Sequence, residues 1–217
     1  IDGNGALIGT GTGSLSGAIS LTGNTTIGGT GSLTLSGTIS ETGGARTVTK
    51  TGTGTVTLSG ANTYSGGATV SAGILAAQNN NALGTASATV NSGGTLQIND
   101  GITVANALTL NGSGAAGTEG ALVGTGAATA SGAITLGSDT TIGAINLTDT
   151  LTLSNTINGA AALTLEGAGT IILGNTVGNT ALTALTANTN VTISGGSITT
   201  SGAQSYTAGV LLGADTT

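Results

Sequence analysis

Two basic residues against eight acidic ones in a chain of 217 leave a net charge of −6, and so remove the positive surface that nucleic-acid binding needs. The absence of His and Cys excludes imidazole and thiol nucleophiles, the usual zinc ligands and any disulfide framework. With 42 glycines, two tyrosines and no Pro, Met, Trp or Phe, the interior has to be filled by Val, Ile, Leu and Ala rather than by aromatic rings.

Such a composition also suits a flexible linker, but mean hydropathy is +0.37, whereas disordered chains combine low hydrophobicity with high net charge. The apolar residues are ordered as well. From the N-terminus they alternate with Thr in short bursts: Leu33-Thr34-Leu35, Val56-Thr57-Leu58, Ala68-Thr69-Val70, Ala88-Thr89-Val90, Leu108-Thr109-Leu110, Leu151-Thr152-Leu153, Leu163-Thr164-Leu165 and Val191-Thr192-Ile193. Alternation with a period of two predicts strands with one buried face. Small or turn-forming residues follow each burst, as in Ser36-Gly37, Ser59-Gly60, Asn111-Gly112 and Ser194-Gly195-Gly196.

The spacing supplies a rung length. Ala68-Thr69-Val70 returns at Ala88-Thr89-Val90, and Gly73-Ile74-Leu75 at Gly94-Thr95-Leu96, a period of about 20 residues that marks a repeat architecture. A longer echo runs through the chain: GALIGTG at 5–11 returns as GALVGTG at 120–126. At the same offset Ser16-Gly17-Ala18-Ile19 matches Ser131-Gly132-Ala133-Ile134, and Thr25-Thr26-Ile27-Gly28 matches Thr140-Thr141-Ile142-Gly143. The duplication is clearest for about 4–28 in about 119–143.

A period in this range admits a leucine-rich repeat or a β-helix. Glycine-free stretches long enough for a helix, such as 179–194, are dominated by Thr and Asn, poor helix formers, so the β-helix is the reading. The expected fold is all-β: one continuous right-handed parallel β-helix over 1–217 with about ten coils of roughly 20–22 residues and uncapped ends, about 50 Å long at the inter-strand spacing. Proline is missing because it would remove donors from central strands. Asn24, Asn79, Asn80, Asn81, Asn91 and Asn111 are expected at coil corners, with stacked Asn side chains adding to the ladder.

The segment at 52–75, GTGTVTLSGANTYSGGATVSAGIL, with its echo ATVNSGGTLQI at 88–98, resembles the autotransporter-associated β-strand repeat of bacterial passenger domains and surface adhesins. The remainder is similar in strand-and-turn style to filamentous-haemagglutinin-like solenoids. The resemblance implies a right-handed β-solenoid at the bacterial cell surface or outside the cell, anchored through regions outside this chain, and working as a stalk or an adhesin. No apolar run long enough for a spanning helix, and no series of alternating strands with aromatic girdles, predicts a membrane-embedded segment.

Candidate chemistry is sparse. Eight acids invite a glycosidase pair, yet Asp139 and Asp215 fall where the first copy has Asn24, Glu119 where it has Asn4, and Glu166 where it has Thr51, which marks them as corner residues. Asp100 lacks the acidic neighbours of a calcium loop. Gly112, Gly114 and Gly117 fit G-x-G-x-x-G without a following helix to bind a phosphate. Arg46 and Lys50, after Glu41, read as a solvated loop, with contact to an acidic neighbour along a fibre as the sharper alternative. Tyr64 reads as turn packing, with sugar stacking as the alternative.

No catalytic, cofactor-binding or metal-ligating residue is nominated, and no cofactor is expected. The end of the chain, GADTT, would join its start, Ile1-Asp2-Gly3, as another instance of the GNTT-IGG corner, which predicts a longer tandem array. The expected function is a non-enzymatic fibre or stalk whose partners are adjacent repeats or copies of itself stacked end to end. The alternative is an adhesin binding cell-surface glycans or proteins, and a polysaccharide-cleaving enzyme ranks behind both. Only 41–50 and 78–83 break the pattern enough to form an adhesive patch.

Overall fold

The computed structural model describes residues 6–213. The expectations for Asn4, for Asp215 and for the junction of Thr217 with Ile1 lie outside the described residues. Each short apolar–Thr burst forms a strand, and every strand pairs in parallel with the one a circuit away. Ala68 pairs with Ala88 and Ala88 with Leu108, so the regular circuit matches the period in the sequence. Longer circuits separate Thr25 from Val48, Leu108 from Ile134 and Ile134 from Ile157. The result is a β-solenoid of about ten coils, as the period predicts.

The coils share three faces. The first holds Thr25–Gly29, Val48–Thr51, Ala68–Val70 and Ala88–Val90. The second holds Ser32–Leu35, Thr55–Leu58, Gly73–Ala77 and Gly94–Ile98. One strand, Ile134–Ala144, runs through both without a break and joins them into a single 19-stranded sheet. The third face is interrupted. Ile19–Leu21 pairs there with Ile39–Glu41 as a two-stranded sheet, and a six-stranded sheet resumes at Thr103–Val104.

Alternation sends one set of side chains inward as columns running along the solenoid. Leu33, Val56, Leu75, Leu96, Leu122 and Ile142 lie in register on the second face, and Leu151, Ile171 and Val191 on the third. All of these are buried. Each buried Leu, Ile or Val of this kind stabilises the fold by about 1.5–3 kcal/mol. The other set faces out. On the first face Thr26, Thr49, Thr69, Thr89, Thr109 and Thr135 form an unbroken ladder, each beside the next. β-branching favours Thr on such a pleated, half-exposed surface.

The long echo is not stacked on one face. Leu7 pairs with Ile27 on the first face, whereas their counterparts Leu122 and Ile142 pair on the second. Gly28 pairs with Thr51, and in the second copy Gly143 pairs with Glu166, again one face over. The offset between the copies is not a whole number of circuits, so the same strand-and-corner phrase serves two different faces. The faces are therefore close to interchangeable in what they demand of the sequence.

Asparagines do sit at the corners, and the register sets Asn111 one coil beyond Asn91 and Asn175 one coil beyond Asn155. Asn106 donates to Gly84 O at 3.1 Å and to Ala86 O, Asn111 to Val90 O at 2.9 Å, and Asn155 to Ser131 O at 3.1 Å. Each ties its corner to the backbone of the preceding coil.

Some corners require glycine for space alone. A methyl on Gly37 would lie 2.2 Å from Gly17 O, and one on Gly60 2.3 Å from Gly37 O, so these corners stack backbone on backbone. Gly17 has nothing within 4 Å of that position. Gly37→Ala is therefore expected to lower stability in urea unfolding by about 1–3 kcal/mol, the usual cost of overpacking, while Gly17→Ala stays near neutral.

A candidate functional site at the break in the third face

The third-face strand is missing from two coils, and residues 59–67 and 78–87 cross that side as loops. The hydrogen bonds a strand would supply are replaced by one side chain. Asn62 Oδ1 accepts from Ile39 N at 2.8 Å in the coil before, and its Nδ2 donates to Ala82 O at 2.7 Å in the coil after. Thr63 N donates to Ile39 O at 2.9 Å and Asn62 N to Asn81 O at 3.2 Å, so the loop keeps the parallel ladder's logic with different atoms. Among the described residues, no buried side-chain polar atom lacks a partner. Losing the bond from Ile39 N to Asn62 Oδ1 would leave a buried backbone donor unpaired, a penalty of about 1–3 kcal/mol.

Tyr64 closes the core beneath this loop. Its ring is fully buried, and a methyl on Gly84 would come within 2.9 Å of the ring carbons. Gly84 has φ of +69°, so both conformation and space require glycine there. Burial pushes the Tyr64 hydroxyl pKa above its ordinary value. Turn packing is thus the role of Tyr64, and sugar stacking on its ring is excluded.

The charged loop divides. Arg46 stays at the surface, donating to Gly43 O at 3.1 Å and Thr42 O at 3.4 Å. Glu41 accepts from the Ser65 hydroxyl and from Arg46 N, and these bonds, Ser65's foremost, hold its carboxyl below the ordinary range. Lys50 is not solvated at all. It stands in the inward column between Ile27 and Val70 and is fully buried. Its ammonium reaches the corner and donates to Thr51 O at 3.0 Å, Gly52 O at 2.8 Å and Ala72 O at 2.9 Å. Desolvation lowers its pKa from 10.5 to about 8. The signal was present in the repeat period, which aligns Lys50 with Val70 and Val90.

The acids act as corner acceptors. Asn24 Oδ1 accepts from Thr47 N at 3.0 Å, and its counterpart Asp139 Oδ1 accepts from Ala162 N at 2.9 Å, each from the following coil. Asp100 Oδ1 takes Ala127 N at 2.8 Å and Asp149 Oδ1 takes Gly126 N at 2.8 Å, from the coils on either side of that corner. Asp149 Oδ2 also takes Asn146 N at 2.8 Å. Glu166 accepts from Asn188 Nδ2 at 2.8 Å. Gly112, Gly114 and Gly117 all have positive φ, the first ending the strand Leu108–Gly112 and the others in the loop after it, with no helix following. Among the described residues no group of three His, Cys, Asp or Glu side chains is placed to hold a metal ion, and no helix is long and apolar enough to cross a membrane.

Two clefts lie at the break and just beyond it. One cleft of about 360 Å³ lies among Gln78, Asn99, Asp100, Ile102 and Thr125. Another of about 280 Å³ lies among Asn80, Asn81, Gly84, Thr85, Ala105 and Asn106. Asn80 lines the second, its Oδ1 accepting from Thr103 N at 2.9 Å. Of the two segments that break the sequence pattern, 78–83 forms this shelf, while 41–50 supplies the Glu41 loop and the buried Lys50.

Residues 48–77 match the passenger-associated transport repeat family. No curated protein and no solved structure matches the chain. The matched segment holds the buried Lys50 of the first face, and Asn62 and Tyr64, the side chains that close the coils where the third face is missing.

Because folding lowers the Lys50 pKa, the unfolded chain holds this proton more tightly, and stability from this group rises as pH climbs from about 8 to 10.5. Lys50→Met is expected to remove that rise and to be at least as stable as the parent at neutral pH, since a buried charge is exchanged for an apolar side chain. Urea midpoints of the two proteins at about pH 7 and about pH 10, taken as differences so that tyrosine ionisation cancels, measure it.

Proposed function

We propose, from a chain that carries an autotransporter-associated β-strand repeat within a β-solenoid of about ten coils, that the protein is a structural segment of a secreted or cell-surface passenger, a stalk that holds length by stacking coils. The observation that carries this reading is the continuity of the ladder. The first two faces stay paired from coil to coil through the described residues, with register shifts at Leu110/Gly112 and Val177/Leu182, and the break in the third is bridged by side chains rather than left open. Such an object resists bending and unfolding through nearest-neighbour contacts repeated along its axis.

The acids support a non-catalytic role. Asp100, Asp139, Asp149 and Glu166 each accept a corner hydrogen bond, as asparagines do elsewhere in the chain. The matched repeat is one of passengers that cross to the outside of the cell, which supports an extracellular place for the stalk.

Further coils or copies are the proposed partners at the two terminal described coils. Ile8 is 64% exposed at one, and Leu211 is 64% and Leu212 61% exposed at the other, on strands that among the described residues pair on one side only. Strand edges of this kind template further pairing. Sedimentation velocity of the 217-residue chain is expected to show end-to-end growth with concentration, suppressed by Leu211→Lys. A monomer at every concentration would contradict the stacking proposal.

A further inference from the structure

Corner side chains of three successive coils line the larger cleft. Gln78 N donates to Leu58 O, Asn99 N to Ala77 O and Thr125 N to Ile98 O, so Gln78, Asn99 and Thr125 occupy one corner position, each a coil above the last. In the two coils before, the same position holds Ser36 and Ser59, whose amides donate to Leu15 O and Leu35 O. The column therefore changes from the short hydroxyls of Ser36 and Ser59 to the amides of Gln78 and Asn99, beginning in the second of the two coils without a third-face strand, and returns to a hydroxyl at Thr125. At the inter-strand rise the three residues span about 10 Å.

Their hydrogen-bonding capacity is largely unspent. The Gln78 side chain has no partner within the described protein and is exposed. Asn99 uses only Oδ1, accepting from Gln97 Nε2 at 3.0 Å, and Asp100 uses only Oδ1, on Ala127 N. That leaves a primary amide, the Nδ2 of a second amide and a free carboxylate oxygen directed around one depression, with Ile102 as its apolar wall. These groups pair donors with acceptors at fixed separation, which suits adjacent hydroxyls on a neutral ring.

The surroundings exclude other ligands. No cation lines the cleft to receive phosphate or sulfate, and among the described residues no trio of acids is placed for a metal ion. A volume of about 360 Å³ falls within the range of small-molecule sites.

We propose that this cleft is a binding site for a neutral, hydroxyl-rich sugar, two rings of a glycan chain laid along the corner column. Gln78 and Asn99 bond its hydroxyls, Asp100 accepts from a pair of them, and Ile102 contacts the ring C–H face. The site lies away from both terminal coils, so it goes beyond the stalk reading and stands or falls apart from it.

The test is amide chemical-shift titration of the ¹⁵N-labelled 217-residue chain with four neutral trisaccharides, built of glucose, mannose, galactose and N-acetylglucosamine. At least one is expected to give saturable shifts at Gln78, Asn99, Asp100 and Ile102, with Kd about 1 mM or tighter, as befits a shallow site. Gln78→Ala and Asp100→Asn are expected to weaken that binding at least about tenfold, the equivalent of about 1.4 kcal/mol. The first removes no protein contact and the second keeps the acceptor for Ala127 N, so both variants retain the fold, checked by their unshifted remaining amides. Absence of saturable shifts with all four sugars overturns the proposal, as do shifts that persist unchanged in both variants.

Discussion

Each strand of this molecule must find both of its backbone partners one circuit away, and the rest of the structure depends on that constraint. A parallel ladder has no short turns to close it, so the chain must travel around a full coil before any rung is satisfied. Once the length of the circuit is fixed, like side chains fall on like, and the interior becomes columns of Leu, Ile, Val and Ala. Aromatic rings and proline are then costly almost everywhere, and glycine is needed where one corner lies directly on the next, as Gly60 does on Gly37. The unusual composition is a consequence of the ladder rather than an independent trait.

Departures from the regular circuit are repaired locally. Where the third-face strand is missing, Asn62 spans three coils with one amide, and Tyr64 fills the volume a strand's side chains would have occupied. Lys50 is the costlier exception, a charge in an apolar column whose ammonium is held by three corner carbonyls. Carbonyl oxygens soften its desolvation but do not cancel it, which is why its pKa is depressed.

Much of the fold was legible because period-two alternation and the return of each strand one circuit later are both direct images of the ladder. The stretch Ala68-Thr69-Val70 against Ala88-Thr89-Val90 gives the register residue for residue. The equivalence of Asn24 with Asp139 likewise foretold a shared corner bond. Other features were not legible. The long echo looks like stacking, yet only the accumulated length of the intervening circuits determines on which face it lands. Lys50 reads as a surface charge because its neighbours Glu41 and Arg46 are at the surface, although the period places it in the column of Val70 and Val90. The clefts beside Asn80 depend on how far a loop stands off the coils, which residue types alone do not encode.

The most direct measurement is of the rung itself. Nitroxide labels placed at Thr26 and Thr109, four rungs apart on the outward ladder, and at Thr26 and Thr135, five rungs apart, report the coil rise by pulsed electron resonance. The account predicts two narrow distance distributions centred at about 19 Å and about 24 Å, separated by about 4.8 Å as one inter-strand spacing requires. Broad distributions, or two pairs whose separations do not differ by one rung, would contradict a continuous parallel ladder.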